Sequence, residues 1–511
     1  MDNEKTPPPQ VEPWHRSRML LRNPVSLAGV ALAIVALANI FLFVLIDAIA
    51  VKPSPYIGIL AYMVSPAFLI LGLLLMLAGV LLERRKKAAP TAFYPRIDLN
   101  DATQRSAAIS FVTFLVVFAV VSAAGSYKAY EFTESTSFCG QLCHTVMIPE
   151  YTAYQLSPHA RVACAECHVG AGATWFVKSK LSGSRQVFAT VFNTFPRPIP
   201  TPVHNLRPAQ ETCEQCHWPK KFYGGQLKIF SHYANDEKNT LRQIRMIIKT
   251  GGGDPATGAP EGIHWHMNIG NKIDYVAADE KRQVIPYIHV EDLQGRVTEY
   301  YATDSKLSKD QIKAQIARNG THHMDCVDCH NRPTHIYVSP DQSVDQSLLA
   351  RRLDVSLPFI KQQAVTVLAA TYKTSDEAMR AIASGLQNFY ESKYPDVAKA
   401  KQLEIRNAVT EIQQIYSRTT FPDMKLNWET HPNNLGHYYY PGCFRCHDGQ
   451  HVSADGKVVS KDCNQCHTVM SETEGAASLA ATPTTSFQHP VDLGDLTQVN
   501  CSDCHTGGTG P

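Results

Sequence analysis

The sequence predicts a mainly α-helical chain with much irregular structure. Three transmembrane helices come first, followed by a water-exposed region organised around seven covalently attached groups. Three observations predict this. The long apolar runs lie in the first 125 residues, which contain no cysteine. All 14 cysteines fall beyond that point, in seven pairs. Each second cysteine is followed directly by histidine.

The first segment, residues 1–24, is polar and carries Pro7, Pro8, Pro9 and Pro13, and reads as a disordered tail. Residues 25–46 form an apolar run of spanning length, interrupted only by Ser26 and Asn39. It is too long for a cleaved secretory segment, and a second span over 56–82 follows at once. The third span is 107–125. Basic residues orient the set: Arg16, Arg18 and Arg22 in the tail and Arg84, Arg85, Lys86, Lys87 and Arg96 in the loop after the second span, against Lys52 alone in the short connection. The excess of Lys and Arg marks the cytoplasmic side. The N-terminus is then cytoplasmic, and everything beyond the third span lies in the periplasm of a bacterial cell.

The cysteine pairs are Cys139/Cys143, Cys164/Cys167, Cys213/Cys216, Cys326/Cys329, Cys443/Cys446, Cys463/Cys466 and Cys501/Cys504. The histidines that follow them are His144, His168, His217, His330, His447, His467 and His505. Six copies read C-x-x-C-H and the first reads C-x-x-x-C-H. Neither a disulfide framework nor zinc knuckles require a histidine after every second cysteine. Two thioether bonds to a porphyrin edge, with the adjacent imidazole reaching the iron, do require it. Seven c-type haems follow as the cofactors, with those seven histidines as proximal iron ligands. Attachment of such haems takes place outside the cytoplasm, which agrees with the topology from charge. A formal net charge of +2 gives no electrostatic case for nucleic acid.

The water-exposed region divides into a four-motif segment (126–339), a cysteine-free helical spacer (340–430) and a three-motif segment (431–511). Residues 218–325 read as short strands and loops. Helical periodicity marks 359–372, 375–390 and 398–416. Candidates for the far side of each iron are His159, His335, His437, His451 and His489, which lie near motifs. His266 and His232 lead an open choice that includes His264, His289, His322 and His323. Met147, three residues past His144, is a candidate for the first iron, since axial methionine raises the potential.

The run FCGQLCHTVMIPEYTAYQLSPHARVACAECHVG at 138–170, continued by Cys213–His217 and ending at CVDCHNRPTH, Cys326–His335, resembles the NapC/NirT family of membrane-anchored tetrahaem quinol dehydrogenases. The whole layout resembles the seven-haem inner-membrane cytochromes of metal-reducing bacteria. The resemblance implies a first haem beside a quinol site, with the family's C-x-x-C-H-x-M motif mapping onto Cys139, Cys143, His144 and Met147. This chain carries one extra residue between the cysteines and another before the methionine. The resemblance also places the quinol-contacting lysine at Lys180 and distal histidines at His159 and His335. Trp175–Val187 mixes aromatic and basic residues, which suits a membrane surface; headgroup anchoring by Lys178, Lys180 and Arg185 is the plainer reading of that stretch.

The expected function is an inner-membrane quinol dehydrogenase that passes electrons from menaquinol or another quinol to soluble periplasmic multihaem cytochromes in anaerobic or extracellular respiration. The alternatives are a terminal multihaem oxyanion reductase, or an electron wire anchored in the membrane without its own quinol site.

Overall fold

The computed structural model describes residues 23–49, 64–85, 99–170, 172–203, 207–218, 222, 224–252, 262–267, 271–475, 477–480, 489, 493–494 and 499–509. The expected cytoplasmic tail, most of the basic loop and the start of the second span lie outside them. The chain forms two compact units: residues 1–138 with 170–182, and residues 139–169 with 183–511.

In the first unit, apolar composition drives three long helices: α1 (Pro24–Ile49), α2 (Ser65–Arg85) and α3 (Ala102–Glu134). Two of them contain stretches long and apolar enough to cross a membrane, Pro24–Phe43 and Ser65–Glu83. Between helices in lipid the driving force is close packing, which favours small residues. A Cβ added at Gly72 would lie 2.8 Å from both the Ala33 nitrogen and the Gly29 carbonyl oxygen. The backbones of α1 and α2 therefore touch where glycine faces glycine. Near the same seam the Ser26 hydroxyl donates to the Met76 carbonyl (3.0 Å).

The second unit begins with the first cysteine pair. Phe138–Leu142 forms a turn of π-helix, followed by α4 (His144–Gln155), α5 (Cys164–His168), α6 (Ala173–Val191) and α7 (Ala209–Cys213). Helix α6 starts in the first unit and ends in the second. Then come strands β1 (Gly225–Tyr233) and β2 (Leu241–Lys249), a 3₁₀ turn at Ile263–Met267, and strands β3 (Lys272–Val276), β4 (Tyr287–Glu291) and β5 (Val297–Ala302). Helix α8 (Lys309–Asn319), strand β6 (His322–His323) and helix α9 (Cys326–Cys329) complete this part. Helix α8 starts at a capping box, Ser308 with Gln311, which satisfies two otherwise unpaired backbone donors.

The cysteine-free segment folds into α10 (Pro340–Leu349), α11 (Ile360–Ala369), α12 (Ser375–Lys393), α13 (Pro395–Ala400) and α14 (Gln402–Thr419). Helix α12 shows why. Thr374 caps it by accepting from the Glu377 N–H. Ala378, Ile382, Leu386 and Tyr390 recur every four residues, and all four are buried. That stripe meets Ile405, Ala408, Ile412 and Tyr416 of α14 in one apolar core. Lys361, fully buried on α11, places its ammonium 2.7 Å from Asp341 Oδ1 and 2.6 Å from Asp345 Oδ1 on α10. The two carboxylates compensate the buried charge and join the helices.

The C-terminal segment adds β7 (His451–Ser453), β8 (His467–Glu474), β9 (Ala477–Ala480) and α15 (Cys501–Cys504). Two antiparallel sheets result, ordered β1-β2-β8-β9 and β6-β3-β4-β5-β7. Strand β8 pairs with β2 (Ile244 opposite Glu472), and β7 pairs with β5 (Tyr301 opposite Val452). Most of the regular structure is helical, as expected, and the strands of the middle segment fall where short strands were expected. Strands from beyond residue 430 complete both sheets.

Candidate haem-binding sites

Cysteines three apart on a helical turn lie on one face, so a C-x-x-C pair needs one tight turn. The structure supplies such turns at Cys164–His168, Cys326–Cys329, Gly442–Arg445, Cys463–Gln465 and Cys501–Cys504. Asp325 caps the fourth motif by accepting from the Cys326 N–H (2.6 Å), and Asp462 caps the sixth by accepting from the Asn464 N–H (3.0 Å). The odd first motif lies on the π-turn. A π-turn is wider than an α-turn, and it takes up the extra residue between Cys139 and Cys143.

The third motif makes the same turn although its helix stops early, as the turns of the fifth and sixth motifs also stop short of their second cysteine. Helix α7 ends at Cys213, and Cys216 follows outside it. The Cys216 N–H still donates to the Cys213 carbonyl (3.1 Å), and so does the His217 N–H (2.8 Å). The backbone thus continues the turn although the helix has stopped. Cys216 itself is exposed, whereas Cys213 is half-buried. Cys213 lies near Cys326, the first cysteine of the fourth motif. Pro208 and the Asp325 carboxylate, which accepts from the Ala209 N–H (2.9 Å), set the start of α7 beside the fourth motif. Cys216, beyond its end, is left toward solvent. Cys167 and Cys504 are exposed as well, each the second cysteine of its pair.

The motif histidines then meet other histidines. Two imidazoles bound to one iron from opposite faces, with metal–nitrogen bonds of about 2 Å, put their ring centres about 6 Å apart. Six motif histidines each have one non-motif histidine at that separation. His168 lies 6.2 Å from His335, His217 5.9 Å from His159 and His330 6.3 Å from His264. His447 lies 5.8 Å from His266, His467 6.1 Å from His437 and His505 6.2 Å from His489. The donor set fits covalently held haem with two axial imidazoles. The side chain of His144 lies outside the described residues.

Several of these rings are oriented through Nδ1, leaving Nε2 for a metal. His264 Nδ1 is 2.7 Å from the Thr250 carbonyl oxygen, and His266 Nδ1 is 2.7 Å from that of Ile263. His159 Nδ1 is 3.2 Å from that of Pro333, and His447 Nδ1 is 3.0 Å from that of Ser460. Burial pushes the protonated forms of His266 and His437 down from the ordinary histidine range, which favours the neutral imidazole that binds iron.

Of the sequence candidates, His159, His266, His335, His437 and His489 stand in these pairs. His264, left in an open choice by the sequence, stands opposite His330. The signal was present in Ile263-His264-Trp265-His266: on a 3₁₀ turn of three residues, positions two apart point in different directions. The two rings therefore address different motifs.

Two candidates point elsewhere. His451 is 1% exposed, with Nδ1 on Asp448 (2.9 Å) and Nε2 on the Ile285 carbonyl oxygen (2.7 Å). Both nitrogens are taken, which corrects the expectation of an iron ligand there. The Asp448 carboxylate keeps the proton on this ring against the effect of burial. His232 Nδ1 sits 2.8 Å from Asp345, in the cluster closed by Lys361. Its ring stands at the pair separation from no motif histidine among the described residues. Met147 packs against the apolar cluster of Val146, Ala153, Tyr337, Met424, Leu426 and Trp428.

Lys180 lies on α6 in the first unit. Its ammonium pairs with Glu134 Oε1 at the end of α3 and lies 4.9 Å from the centre of the Phe176 ring. Tyr130 stands 6.3 Å from Phe176. Sequence reasoning missed Glu134, which lies far from Lys180 along the chain and in no motif.

Cysteine pairs on short turns, each with its histidine, define a multihaem c-type cytochrome carried on apolar helices. Residues 102–199 match the NapC/NirT cytochrome c family, N-terminal region, and residues 437–509 match cytochrome c3. Over 504 residues the chain is 47% identical to cytochrome c-type protein ImcH of Geobacter sulfurreducens, covering 96% of this chain and 98% of that protein. The chain belongs to this family of membrane-anchored multihaem electron-transfer cytochromes. No solved structure matches it.

Proposed function

We propose that the chain is an inner-membrane quinol dehydrogenase, anchored by three spans with its N-terminus in the cytoplasm. It takes electrons from menaquinol or a related quinol and delivers them to soluble periplasmic multihaem cytochromes during anaerobic or extracellular respiration. Seven c-type haems, one per cysteine pair, supply one-electron steps. Cys213 and Cys216 would hold the third of them in this reading. The histidine pairs named above are axial ligands on the second to seventh irons. Met147 remains the candidate on the first iron, opposite His144.

The observation that carries the quinol reading is the Lys180–Glu134 pair against Phe176 and Tyr130. An aromatic shelf offers a flat face to a quinol ring. The ammonium donates to a quinol oxygen and stabilises negative charge as the proton leaves. The carboxylate beside it accepts that proton. An oxyanion reductase needs an open iron position, and histidine on both sides of six irons leaves none on those.

The test is oxidation of a menaquinol analogue by the full-length, haem-loaded protein in detergent. Lys180→Ala is expected to slow reduction of the haems about a hundredfold with unchanged haem spectra. An unchanged rate removes Lys180 from the mechanism. No reaction in the unaltered protein favours the electron-wire reading, with quinol oxidised by a partner.

A further inference from the structure

The groups behind the axial histidines differ in charge. Behind His159, His264, His266 and His447 stands a neutral backbone carbonyl. Behind His437 and His467 Nδ1 no hydrogen-bond partner stands among the described residues. His335 differs from these six. Its Nδ1 donates to the Glu150 backbone carbonyl (3.0 Å), and the carboxylate of the same residue lies 3.2 Å from that nitrogen.

This carboxylate is buried beside a cation. The Glu150 side chain is 12% exposed and that of Arg332 is 7% exposed, with Arg332 NH2 3.6 Å from Glu150 Oε2. Arg332 Nε donates to the His335 carbonyl (2.7 Å), so the cation is tied to the same ligand's backbone. Its guanidinium lies 5.2 Å from the centre of the Tyr337 ring. Neither charge belongs to a haem-attachment motif, and neither is used by the quinol reading.

We propose that Glu150 and Arg332 are positioning residues that set the potential of the second haem, the one attached at Cys164 and Cys167. A carboxylate behind an axial imidazole makes the ring a stronger electron donor. Ferric iron gains more from that than ferrous iron, so the midpoint potential falls. Arg332 offsets part of the effect. The second haem is thereby held lower in potential than the fifth, whose rings back onto carbonyls, and the sixth, whose rings have no Nδ1 partner among the described residues. Electrons entering near the membrane then run toward the C-terminal haems. The inference rests on His168 and His335 sharing one iron.

The experiment is a spectroelectrochemical titration of the full-length, haem-loaded protein in detergent, with low-spin signals followed by electron paramagnetic resonance. Glu150→Gln, which keeps shape and removes charge, is expected to shift one component of the set upward. Arg332→Gln is expected to shift the same component downward, and Arg332→Lys to leave it in place. Should Glu150→Gln not accumulate, the two Arg332 variants carry the test. Intact low-spin signals with no shift in either Gln variant, or shifts in different components, overturn the proposal. A wild-type protein whose second haem is high-spin overturns the shared iron instead, and the two failures are told apart by that signal.

Discussion

His431 shows how one residue couples burial to pH. It is 5% exposed, its Nδ1 lies 3.2 Å from the Thr201 hydroxyl, and its Nε2 has no hydrogen-bond partner. Burial, and secondarily the Arg332 cation, push its pKa down to about 4. In the unfolded chain the ring takes up a proton near the ordinary histidine value of about 6.5. Between those values the unfolded state binds more protons, so stability falls as pH is lowered from 6.5 toward 4. The loss amounts to roughly 3 kcal/mol at the low end. Denaturant unfolding of the haem-loaded protein at pH 7 and pH 4.5 is expected to show this slope, and His431→Gln to flatten it. Equal slopes in both proteins would mean that other groups set the pH dependence. Such a residue could not be read from the sequence: only the fold shows that His431 faces Arg332 while His437, the candidate ligand, faces His467.

At the scale of elements, the α1–α2 seam depends on two glycines that face each other. Gly72→Leu places a side chain against backbone atoms of Ala33 and Gly29, which cannot swing aside. Forcing extra volume into such a seam costs about 1–3 kcal/mol. The variant is expected to melt at a lower temperature in detergent with its haem absorption unchanged, and Gly72→Ala to melt between the two. A Leu variant as stable as the parent would show that the helices do not need close contact. The haem-bearing turns were legible in the sequence because thioether chemistry fixes the cysteine spacing and the following histidine. The different surroundings of Cys213 and Cys216 were not, because they depend on where α7 ends and on the fourth motif beside it. The helices from 360 to 419 were legible because their apolar stripe repeats every three to four residues. The strands were harder. Strand β8 begins at His467, the histidine of the sixth motif, so motif and strand share residues, and neither alternation nor a turn signal separates them.

At the scale of the whole molecule, the early and late motif segments share strands. His266 stands opposite His447 and β5 pairs with β7, so the first four motifs and the last three are joined by both backbone and imidazole. A chain ending at residue 430 loses strands β7 and β8 and leaves β5 and β2 with open edges. It is expected to be degraded or to aggregate, as judged by haem-stained yield and limited proteolysis beside the full chain. A stable, protease-resistant four-haem fragment would show that the early motifs fold without the C-terminal strands. The sequence could not reveal this, because strand pairing between residues more than 150 apart leaves no local pattern.

The late arrival of β7 and β8 has a bearing on how the protein is assembled. A chain is made from its N-terminus, so β2 and β5 exist for a long interval before residues 451–474 can close their sheets. During that interval His266 also waits for His447. Until residues 451–474 are made, β2 and β5 each keep an open edge that only the C-terminal segment can pair.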